Sequence, residues 1–233
     1  MGTVVLALGG SLLRPELGDR HQWLEEFVSI VKNRLRSGDK MGVVVGGGAP
    51  AREGIELARS LIEDEAHLDL IGIAATRLNA TIIKETLEDG GIEVHSRMPE
   101  SVSEAIDSLD SSDIVIMGGT VAGQTTDTVA IELAIGIGAS RCIIATNVDK
   151  VYSEDPRDNP QAESFEKLTL HELQEIVGPA EHASAGGSKV VDPVGVGEAV
   201  RHGLPLVVLD GRDTWRITAA LDGGEFGGTL IEG

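Results

Sequence analysis

The stretch IVIMGGTVAGQTTDTVA, residues 114–130, contains the pattern from which the rest of the chain can be interpreted. Its apolar run, Ile114–Met117, has the composition of a buried strand and leads into a glycine-rich turn. Apolar positions at helical spacing follow Asp127. Glycine lets the backbone approach a ligand closely, and the first turn of a helix presents free N–H groups with a partial positive charge. The stretch therefore predicts an anion-binding turn, with Asp127 either as the N-cap of the helix or in a chemical role.

Two more glycine clusters follow apolar runs nearer the start of the chain, GGS at residues 9–11 and GGG at residues 46–48. If those runs are parallel strands, all three turns lie at one edge of a sheet and converge on one cleft. A single glycine pair would fit turn formation alone, but three in this context favour anion binding. Neither G-x-x-x-x-G-K-[ST] nor a G-x-G-x-x-G after the first strand is present, which excludes the P-loop and dinucleotide-binding classes. A fourth polar turn, residues 146–156, fits either a nucleoside-binding segment or a surface loop.

Short apolar runs alternate with helical periods along the chain, the βαβ signature of a mostly parallel sheet covered on both faces. We therefore predict an α/β fold, a three-layer α/β/α sandwich with a mostly parallel central sheet. The predicted strands are residues 3–8, 41–45, 92–95, 114–117, 141–145, 204–209 and 229–232. The predicted helices are one ending at Ser37-Gly38, one beginning after Pro50 with Leu61 and Ile62 on its apolar stripe, one ending at Gly90-Gly91, and two beginning at capping boxes, Ser101 and Thr169.

The chain is strongly acidic, with 38 Asp and Glu against 19 Lys and Arg and a formal charge of −19. Such a surface repels nucleic-acid phosphates and anionic lipids, so nucleic acid and membranes are disfavoured as partners. No apolar run approaches the ~18 residues of a membrane span and no basic signal region opens the chain, which predicts a cytoplasmic protein. Many carboxylates and few lysines also suit a high-salt cytoplasm, as a hypothesis. The single cysteine, Cys142, lies in an apolar run and is predicted to be a packed thiol.

Seven motifs in this order resemble those of the amino acid kinase superfamily, and within it the UMP kinases of archaeal type. They are LGGS at residues 8–11, VVGGGAPAR at 44–52, DLIGIAATRLNA at 69–80, MGGTVAGQTTDTVA at 117–130, TNVDKVYSEDP at 146–156, GGSKVVDP at 186–193 and GGTLIE at 227–232. Any one short glycine motif is common, but seven in the family order are specific, and together they cover nearly the whole chain. The resemblance implies one domain of residues 1–233, with an acceptor-binding lobe of about residues 1–140 and an ATP-binding lobe of about residues 141–233.

The resemblance implies phosphoryl transfer from MgATP to UMP, giving UDP for pyrimidine nucleotide synthesis. The ATP-binding residues that it implies are Gly10, Ser11, Gly48, Arg52, Thr146, Asn147, Tyr152 and Asp155. The UMP-binding residues that it implies are Gly47, Asp69, Thr120, Val121, Ala122, Gly123, Gln124, Thr125 and Thr126, with Asp69 on the ribose hydroxyls. Magnesium is expected to arrive with the nucleotide, held by phosphates and water, so no dedicated metal site is predicted.

Family members commonly form dimers assembled into hexamers, so the resemblance also implies a homo-oligomer. The first helix, with Trp23 and Phe27, could supply an interface, or these aromatic side chains could belong to the core.

Two lysines that many members of the superfamily carry are absent, because Ala7 and Ala49 stand at their positions. Lys189 matches a family lysine just before a V-x-D segment. It is the cation predicted to stabilise the transferred phosphoryl group, with Asp127 orienting it. The plainer alternative for Lys189 is a solvated lysine on a surface loop.

Other functions on the same fold remain open. Isopentenyl phosphate kinases usually carry a histidine near the acceptor phosphate, and none of the six histidines lies in a glycine turn. Carbamate and acetylglutamate kinases are also relatives, but Asp69 and the TTD segment at residues 125–127 favour a nucleoside monophosphate. The missing lysines keep a non-catalytic nucleotide-binding or storage protein open, although the sequence lacks the histidine clusters expected of a metal-storage protein.

Overall fold

The computed structural model of the protein describes residues 2–13, 19–181 and 190–233. The strands are β1 (Thr3–Leu8), β2 (Lys40–Val45), β3 (Ile114–Met117), β4 (Cys142–Thr146), β5 (Val151–Tyr152), β6 (Ser164–Phe165), β7 (Lys167–Thr169), β8 (Leu206–Asp210) and β9 (Thr229–Glu232). The helices are α1 (Arg20–Arg36), α2 (Gly48–Arg59), α3 (Glu65–Asp89), α4 (Val102–Ser111), α5 (Thr126–Gly136), α6 (Leu170–Val177), α7 (Pro193–His202) and α8 (Thr214–Asp222), and a 3₁₀ helix, Gly10–Leu13, follows β1. Across these described ranges, no helix has the length and apolar character needed to cross a membrane.

The central sheet has the strand order β3-β2-β1-β4-β8-β9-β7. Neighbouring strands from β3 to β8 in that order are parallel, while β9 is antiparallel to β8 and parallel to β7. β1 pairs directly with β4, so the sheet is continuous between the first and second halves of the chain. Strands β5 and β6 form a separate antiparallel hairpin. The predicted mostly parallel sheet is confirmed.

Helices cover both faces of this sheet. Helices α1, α3 and α8 pack on the face that carries Leu6 and Val43, and helices α4 to α7 pack on the face that carries Val5 and Val44. Successive side chains of a strand point to opposite faces, and Val5 and Leu6 are both fully buried. The three-layer α/β/α sandwich is therefore confirmed.

The aromatic pair of α1 belongs to the core. Trp23 and Phe27 are 3% and 1% exposed and stack with ring centroids 5.3 Å apart. The Trp23 indole N–H donates to the Gly211 carbonyl oxygen at 2.7 Å, so its polar edge is also satisfied. These side chains fill the space between α1 and the sheet and present no free surface to a partner.

The predicted strand at residues 92–95 is wrong. Ile92 and Val94 are buried, as the alternating pattern required, but the segment forms no strand ladder with any described residue. It touches β3 through a hydrogen bond from His95 N to Ile114 O at 3.1 Å. Residues 92–95 lie beside β3, the outermost strand of the sheet, and bury alternate side chains there. Such alternate burial gives a strand-like sequence pattern even though no regular ladder forms.

The predicted start and extent of α2 are also wrong. The helix begins at Gly48, so Pro50 lies inside its first turn, where the missing N–H would have no helical partner. It ends at Arg59, which leaves Leu61 and Ile62 beyond it, and Leu61 is 88% exposed. The apolar residues at 61 and 62 continue the helical spacing without continuing the helix.

The other predicted helix boundaries are confirmed, with one difference in capping. α1 and α3 end immediately before Ser37 and Gly90. Thr169 and Glu172 form a complete capping box. Ser101 accepts a hydrogen bond from the Glu104 amide, but the Glu104 carboxylate accepts from Glu100 N, so only half of that box forms.

Candidate active site

The glycine turns lie at one edge of the sheet because the strands before them are parallel. Backbone hydrogen bonds join the first residue after β1 and the first residue after β2 to the carboxyl end of a neighbouring strand. Gly9 N donates to Ala145 O at 2.8 Å, and Gly46 N donates to Leu8 O at 2.8 Å. The turns after β1, β2 and β4 are thus tied side by side, and together they form the floor of the candidate site.

Two of the predicted phosphate-binding turns touch backbone to backbone. A Cβ added to Gly10 would lie 2.3 Å from the Gly48 amide nitrogen and 2.4 Å from the Gly46 carbonyl oxygen. A Cβ on Gly48, whose φ is +60°, would lie 2.5 Å from the Gly10 carbonyl carbon and 3.0 Å from Ser11 N. Both positions therefore require glycine. The contact brings together four of the predicted site residues, Gly10, Ser11, Gly47 and Gly48, at the start of the 3₁₀ helix and of α2.

Helix α3 supports the turns after β2 and β3. Asn79 is fully buried, and its Nδ2 donates to the Gly46 carbonyl oxygen at 2.8 Å and to the Gly47 carbonyl oxygen at 3.0 Å. Thr76 Oγ1 accepts a hydrogen bond from the Gly119 amide at 2.7 Å. Buried polar groups need such partners, so these contacts fix both turns relative to the helix. The sequence analysis missed Thr76 and Asn79; the available signal was two polar side chains, three residues apart, facing the core of a predicted helix.

The loop between β3 and α5 meets Asp69 of α3. Gly123 N donates to Asp69 Oδ2 at 2.7 Å, across a separation of 54 residues. Within the loop, Thr120 Oγ1 donates to Gln124 Oε1 at 2.6 Å, and Gln124 Nε2 donates to Glu132 Oε2 at 2.7 Å. The structure therefore brings the predicted ribose-binding carboxylate to the predicted phosphate-binding loop.

The tip of this loop is apolar and exposed, and a cation stands beside its base. Val121 and Ala122 form the tip, where Val121 is 60% exposed, so they offer backbone groups and no polar side chain. Arg77 Nε donates to the Gly119 carbonyl oxygen at 3.4 Å, and Arg77 pairs with Glu100 at 3.2 Å. The sequence analysis did not select Arg77, which follows Thr76 on α3.

The last residues of the loop form the N-terminus of α5. Thr125, and not Asp127, is the N-cap, since its side chain accepts a hydrogen bond from Thr128 N at 3.3 Å. Thr126 is the first helical residue, and its Oγ1 lies 3.4 Å from the point that a Cβ on Gly46 would occupy. The hydroxyl of Thr126 therefore lies beside the turn after β2, within the glycine cluster.

Of the predicted catalytic pair, Lys189 and Asp127, the structure describes Asp127. Burial, and after it the negative charge of Asp192, raise the pKa of Asp127 to about 7, against an opposing hydrogen bond from the Asp192 backbone. Lys189, its predicted partner, lies outside the described residues. Asp192 is itself buried, and the sequence analysis gave it no role; an Asp-Pro pair at a helix start was the available signal.

The predicted nucleoside-binding residues follow β4. Thr146 ends the strand, and its carbonyl oxygen accepts a hydrogen bond from Gly211 N at 2.8 Å. Asn147 is exposed in the bend after it. Tyr152 lies on β5 and donates its hydroxyl to Asp149 Oδ1 at 2.8 Å, a hydrogen bond that raises the pKa of the phenol. Thr146 and Asn147 are thus at the sheet edge, while Tyr152 belongs to the hairpin beside it.

Two predicted ATP-binding residues are not joined to this edge. Asp155 lies at the surface of the hairpin loop, where Arg157 Nη2 donates to its Oδ2 at 2.6 Å and the hydrogen bonds from Arg157 lower the pKa of Asp155 to about 2. Arg52 is exposed on α2. Within the described ranges, neither side chain forms a hydrogen bond or an ion pair with the glycine turns.

A further ion pair stands at the carboxyl end of β8. Arg212 donates from Nη2 to Asp210 Oδ2 at 2.6 Å and from Nε to Asp210 Oδ1 at 2.9 Å. Thr146 of β4 pairs in register with Asp210, so this cation lies near the donor side of the site. Asp210 and Arg212 are not among the predicted site residues, although an acid and an arginine two residues apart are visible in the sequence.

Two further kinds of reactive group are possible metal ligands and the single cysteine. Counting only residues that the structure describes, no three His, Cys, Asp or Glu side chains gather closely enough to hold a metal ion. Cys142 is fully buried, and burial raises the pKa of its thiol, with the charge of Asp127 adding to the shift. The prediction of a packed thiol is confirmed.

Comparison with known proteins identifies the family of this chain. The pattern that describes the amino acid kinase family matches residues 2–210. A uridylate kinase from Methanospirillum hungatei is 42% identical over 231 residues, which cover 99% of this chain and 95% of the relative.

Two solved structures share the whole fold. The crystal structure of a uridylate kinase from Archaeoglobus fulgidus superposes with a TM-score of 0.83 at 36% identity, over 99% of this chain and 100% of the other. The crystal structure of a UMP kinase from Bacillus anthracis gives a TM-score of 0.78 at 25% identity, over 99% and 96%. The chain therefore belongs to the amino acid kinase family, and within that family to the uridylate kinases of archaeal type.

Proposed function

We propose that this protein is a uridylate kinase, which transfers the γ-phosphoryl group of MgATP to the phosphate of UMP and releases UDP and ADP. One observation carries the proposal: the Gly123 amide donates to the Asp69 carboxylate at 2.7 Å. This contact joins an acid suited to ribose hydroxyls with a loop suited to a phosphate. Full-length similarity to curated uridylate kinases supports the same activity.

On the acceptor side, the proposed UMP ligands are Gly47, Asp69 and the loop residues Thr120, Val121, Ala122, Gly123, Gln124, Thr125 and Thr126. The Asp69 carboxylate accepts hydrogen bonds from the 2′- and 3′-hydroxyls of the ribose. The loop amides, the Thr126 hydroxyl and the N-terminus of α5 bind the phosphate. A 2′-deoxyribose would leave an Asp69 oxygen without one donor, so dUMP should be a poor acceptor.

On the donor side, the proposed ATP ligands are Gly10, Ser11, Gly48, Arg52, Thr146, Asn147, Tyr152 and Asp155. The backbone contact between Gly10 and Gly48 supports a phosphate cradle in which amides, and not side chains, face the ligand. Thr146 and Asn147 lie at the same edge and would hold the nucleoside.

Phosphoryl transfer requires that the ATP and UMP phosphates be held in line and that the negative charge developing in the transition state be neutralised. A chain of formal charge −19 repels nucleotides at long range, so fixed local donors must outweigh that field. Helix N-termini supply such donors at both substrates. We assign the stabilisation of the transferred phosphoryl group to Lys189, oriented by Asp127. Magnesium, held mainly by the ATP phosphates and water, would neutralise charge on the nucleotide.

The proposed setting is a cytoplasm, with the enzyme as a homohexamer built from dimers and UDP feeding pyrimidine nucleotide synthesis. Exposed leucines on two packed helices support self-association: Leu57 on α2 is 82% exposed, and Leu70 and Leu78 on α3 are 55% and 54% exposed. The excess of carboxylates supports a high-salt habitat, in which screening weakens the repulsion between like charges.

The test is ADP release from MgATP with UMP, CMP, dUMP, isopentenyl phosphate and acetylglutamate, at low and at molar KCl. Turnover with UMP far above the other acceptors is the expected result, with full activity retained at molar salt. ATP binding without turnover on any acceptor would contradict the proposal and favour a binding protein on a kinase fold.

A further inference from the structure

Asp192 is a buried carboxylate for which the proposed reaction has no use so far. It is 8% exposed and forms the N-cap of α7, where its Oδ1 accepts a hydrogen bond from Val194 N at 3.0 Å. Capping uses one oxygen only. The second oxygen, Oδ2, accepts from Thr128 Oγ1 at 2.9 Å and also from Thr125 Oγ1. One side chain therefore joins the N-termini of α7 and α5.

The two helix starts are packed without space between them. A Cβ on Gly195, in the first turn of α7, would lie 3.0 Å from Thr128 Oγ1 and 3.1 Å from Thr128 Cα. Such distances leave no room for a larger residue or for a water between the helices. The hydrogen bonds of Asp192 thus act across a direct contact, and a shift of α7 would be passed to the start of α5.

The hydroxyls of Thr125, Thr126 and Thr128 have different surroundings. The hydroxyls of Thr125 and Thr128 donate to Asp192, and Thr125 also caps α5. The hydroxyl of Thr126 lies beside Gly46 instead, in the glycine cluster. The Thr125 hydroxyl is therefore occupied structurally, which leaves Thr125 its backbone groups for UMP. Of the three hydroxyls, the Thr126 hydroxyl is the one that can turn to an acceptor phosphate.

We propose that Asp192 is a positioning residue for phosphoryl transfer, whose carboxylate holds the N-terminus of α5, with Thr126, in register against the N-terminus of α7. The proposal rests on the proposed function, because it concerns the acceptor side of that site. A displacement of about 1 Å at a reacting group lowers the rate on the order of 100-fold. Losing the bridge that fixes the position of Thr126 should therefore lower kcat.

The charge of Asp192 also acts on Asp127, which faces it from the first turn of α5. From β4, the Cys142 thiol faces Asp127. Of the other elements packed on α5, β1 has no titratable side chain and Lys40 of β2 lies at the opposite end of the strand. α4 meets α5 at Gly136, far from Asp127, and the charged residues of α7 lie in its second half. Removing the Asp192 charge should therefore lower the pKa of Asp127.

The test compares the full-length wild type with Asp192→Asn, which keeps an oxygen for the α7 cap but loses the charge. Asp64→Asn, at the exposed N-cap of α3, is the matched control for an altered cap. We expect kcat with UMP to fall about 10- to 100-fold in Asp192→Asn while the KM for ATP stays within about 3-fold. Because ionised Asp127 orients the cation, the acid limb of the kcat profile should also move to lower pH. Asp64→Asn should leave both readouts unchanged.

A kcat within about 2-fold of the wild type, or an acid limb that does not move, overturns the proposal and leaves Asp192 as a helix cap. A second pair covers the case in which Asp192→Asn fails to fold. Thr128→Val removes one hydroxyl from the bridge and should lower kcat about 3- to 10-fold, whereas Thr128→Ser keeps the hydroxyl and should stay within about 2-fold. Equal kcat in this pair also overturns the proposal. No turnover of UMP by the wild type itself would instead contradict the proposed function.

Discussion

The acceptor and donor sides of the site are built in different ways. On the acceptor side, hydrogen bonds join residues far apart in sequence: Asn79 to Gly46 over 33 residues, and Asp69 to Gly123 over 54 residues. On the donor side, Val151 N anchors the hairpin backbone to Thr229 Oγ1 of β9 at 2.9 Å, but the side chains of the proposed ATP ligands in the hairpin bind close neighbours in sequence. Tyr152 binds Asp149 three residues away, and the surface residue Asp155 binds its neighbour two residues on.

This difference indicates where the site is pre-organised. The contacts of Asn79 with Gly46 and of Thr76 with Gly119 are buried and therefore costly to break, so α3 holds the turns after β2 and β3 in one geometry before UMP arrives. Exposed local pairs contribute little and can exchange partners when a ligand binds. Substitutions should therefore affect the acceptor side much more than the donor hairpin, and the following four predictions test that order.

The largest effect is expected in the glycine turns, where the proposed ATP ligands Gly10 and Gly48 touch and adjoin Gly47, a proposed UMP ligand. In Gly10→Ala, the new Cβ would stand 2.3 Å from the Gly48 amide and would push the two turns apart. We expect kcat to fall at least about 100-fold, since the proposed ATP phosphate cradle and the adjoining Gly47 would both shift. Steady-state kinetics measures this, with Gly224→Ala as the control, an exposed position where the nearest atom to the new Cβ is 3.7 Å away. Similar rates in the two variants would show that the turns are free to separate.

The next effect belongs to Asp69. Asp69→Asn weakens the bond from Gly123 and the proposed ribose contacts, so kcat/KM for UMP should fall about 10- to 100-fold with the KM for ATP unchanged. Initial rates measured at varied UMP and at varied ATP concentrations separate the effect on kcat/KM for UMP from the effect on the KM for ATP. Asp64→Asn on the same helix is the control. A rise of equal size in the KM for ATP would contradict the proposal that Asp69 binds UMP and not ATP.

A smaller effect, on stability as well as activity, is expected at Thr76. Thr76→Val leaves the buried Gly119 amide without its acceptor, which costs about 1–3 kcal/mol of unfolding free energy. Denaturant unfolding measures it, and the KM for UMP should rise while the KM for ATP does not. Thr81→Val, on the exposed face of α3, is the control. Equal stability of the two variants would mean that the Gly119 amide finds another partner.

The smallest effect is expected on the donor hairpin. Asp155→Ala removes a surface carboxylate whose described partner is Arg157, so the KM for ATP should rise less than about 5-fold with kcat unchanged. Titration with ATP at saturating UMP measures it. A loss as large as that of Asp69→Asn would show that ATP binding orders the hairpin around Asp155, and the proposed contrast between the two sides would fail.

Much of the fold follows from local patterns in the chain. β1, β3 and β9 begin and end at the predicted residues, and α1 and α3 end at their predicted glycine signals. The segment at residues 92–95 failed because alternating burial does not require a ladder. The helix at α2 was misplaced because Pro50 is as acceptable inside a first turn as before it.

The glycine turns and their order could be predicted from the sequence by itself, because a turn after an apolar strand depends on residues close together in the chain. Asp69 was selected only through the family resemblance, and its role stays a prediction. Only the tertiary structure decided that Thr125 caps α5 while Thr126 lies beside the glycine cluster, and that Asn79 and Asp192 support the site. Asn79 and Asp192 support the site through partners 32 to 67 residues away. A buried polar group looks the same in sequence whatever it binds, and its function is settled only when the fold brings its partner to it.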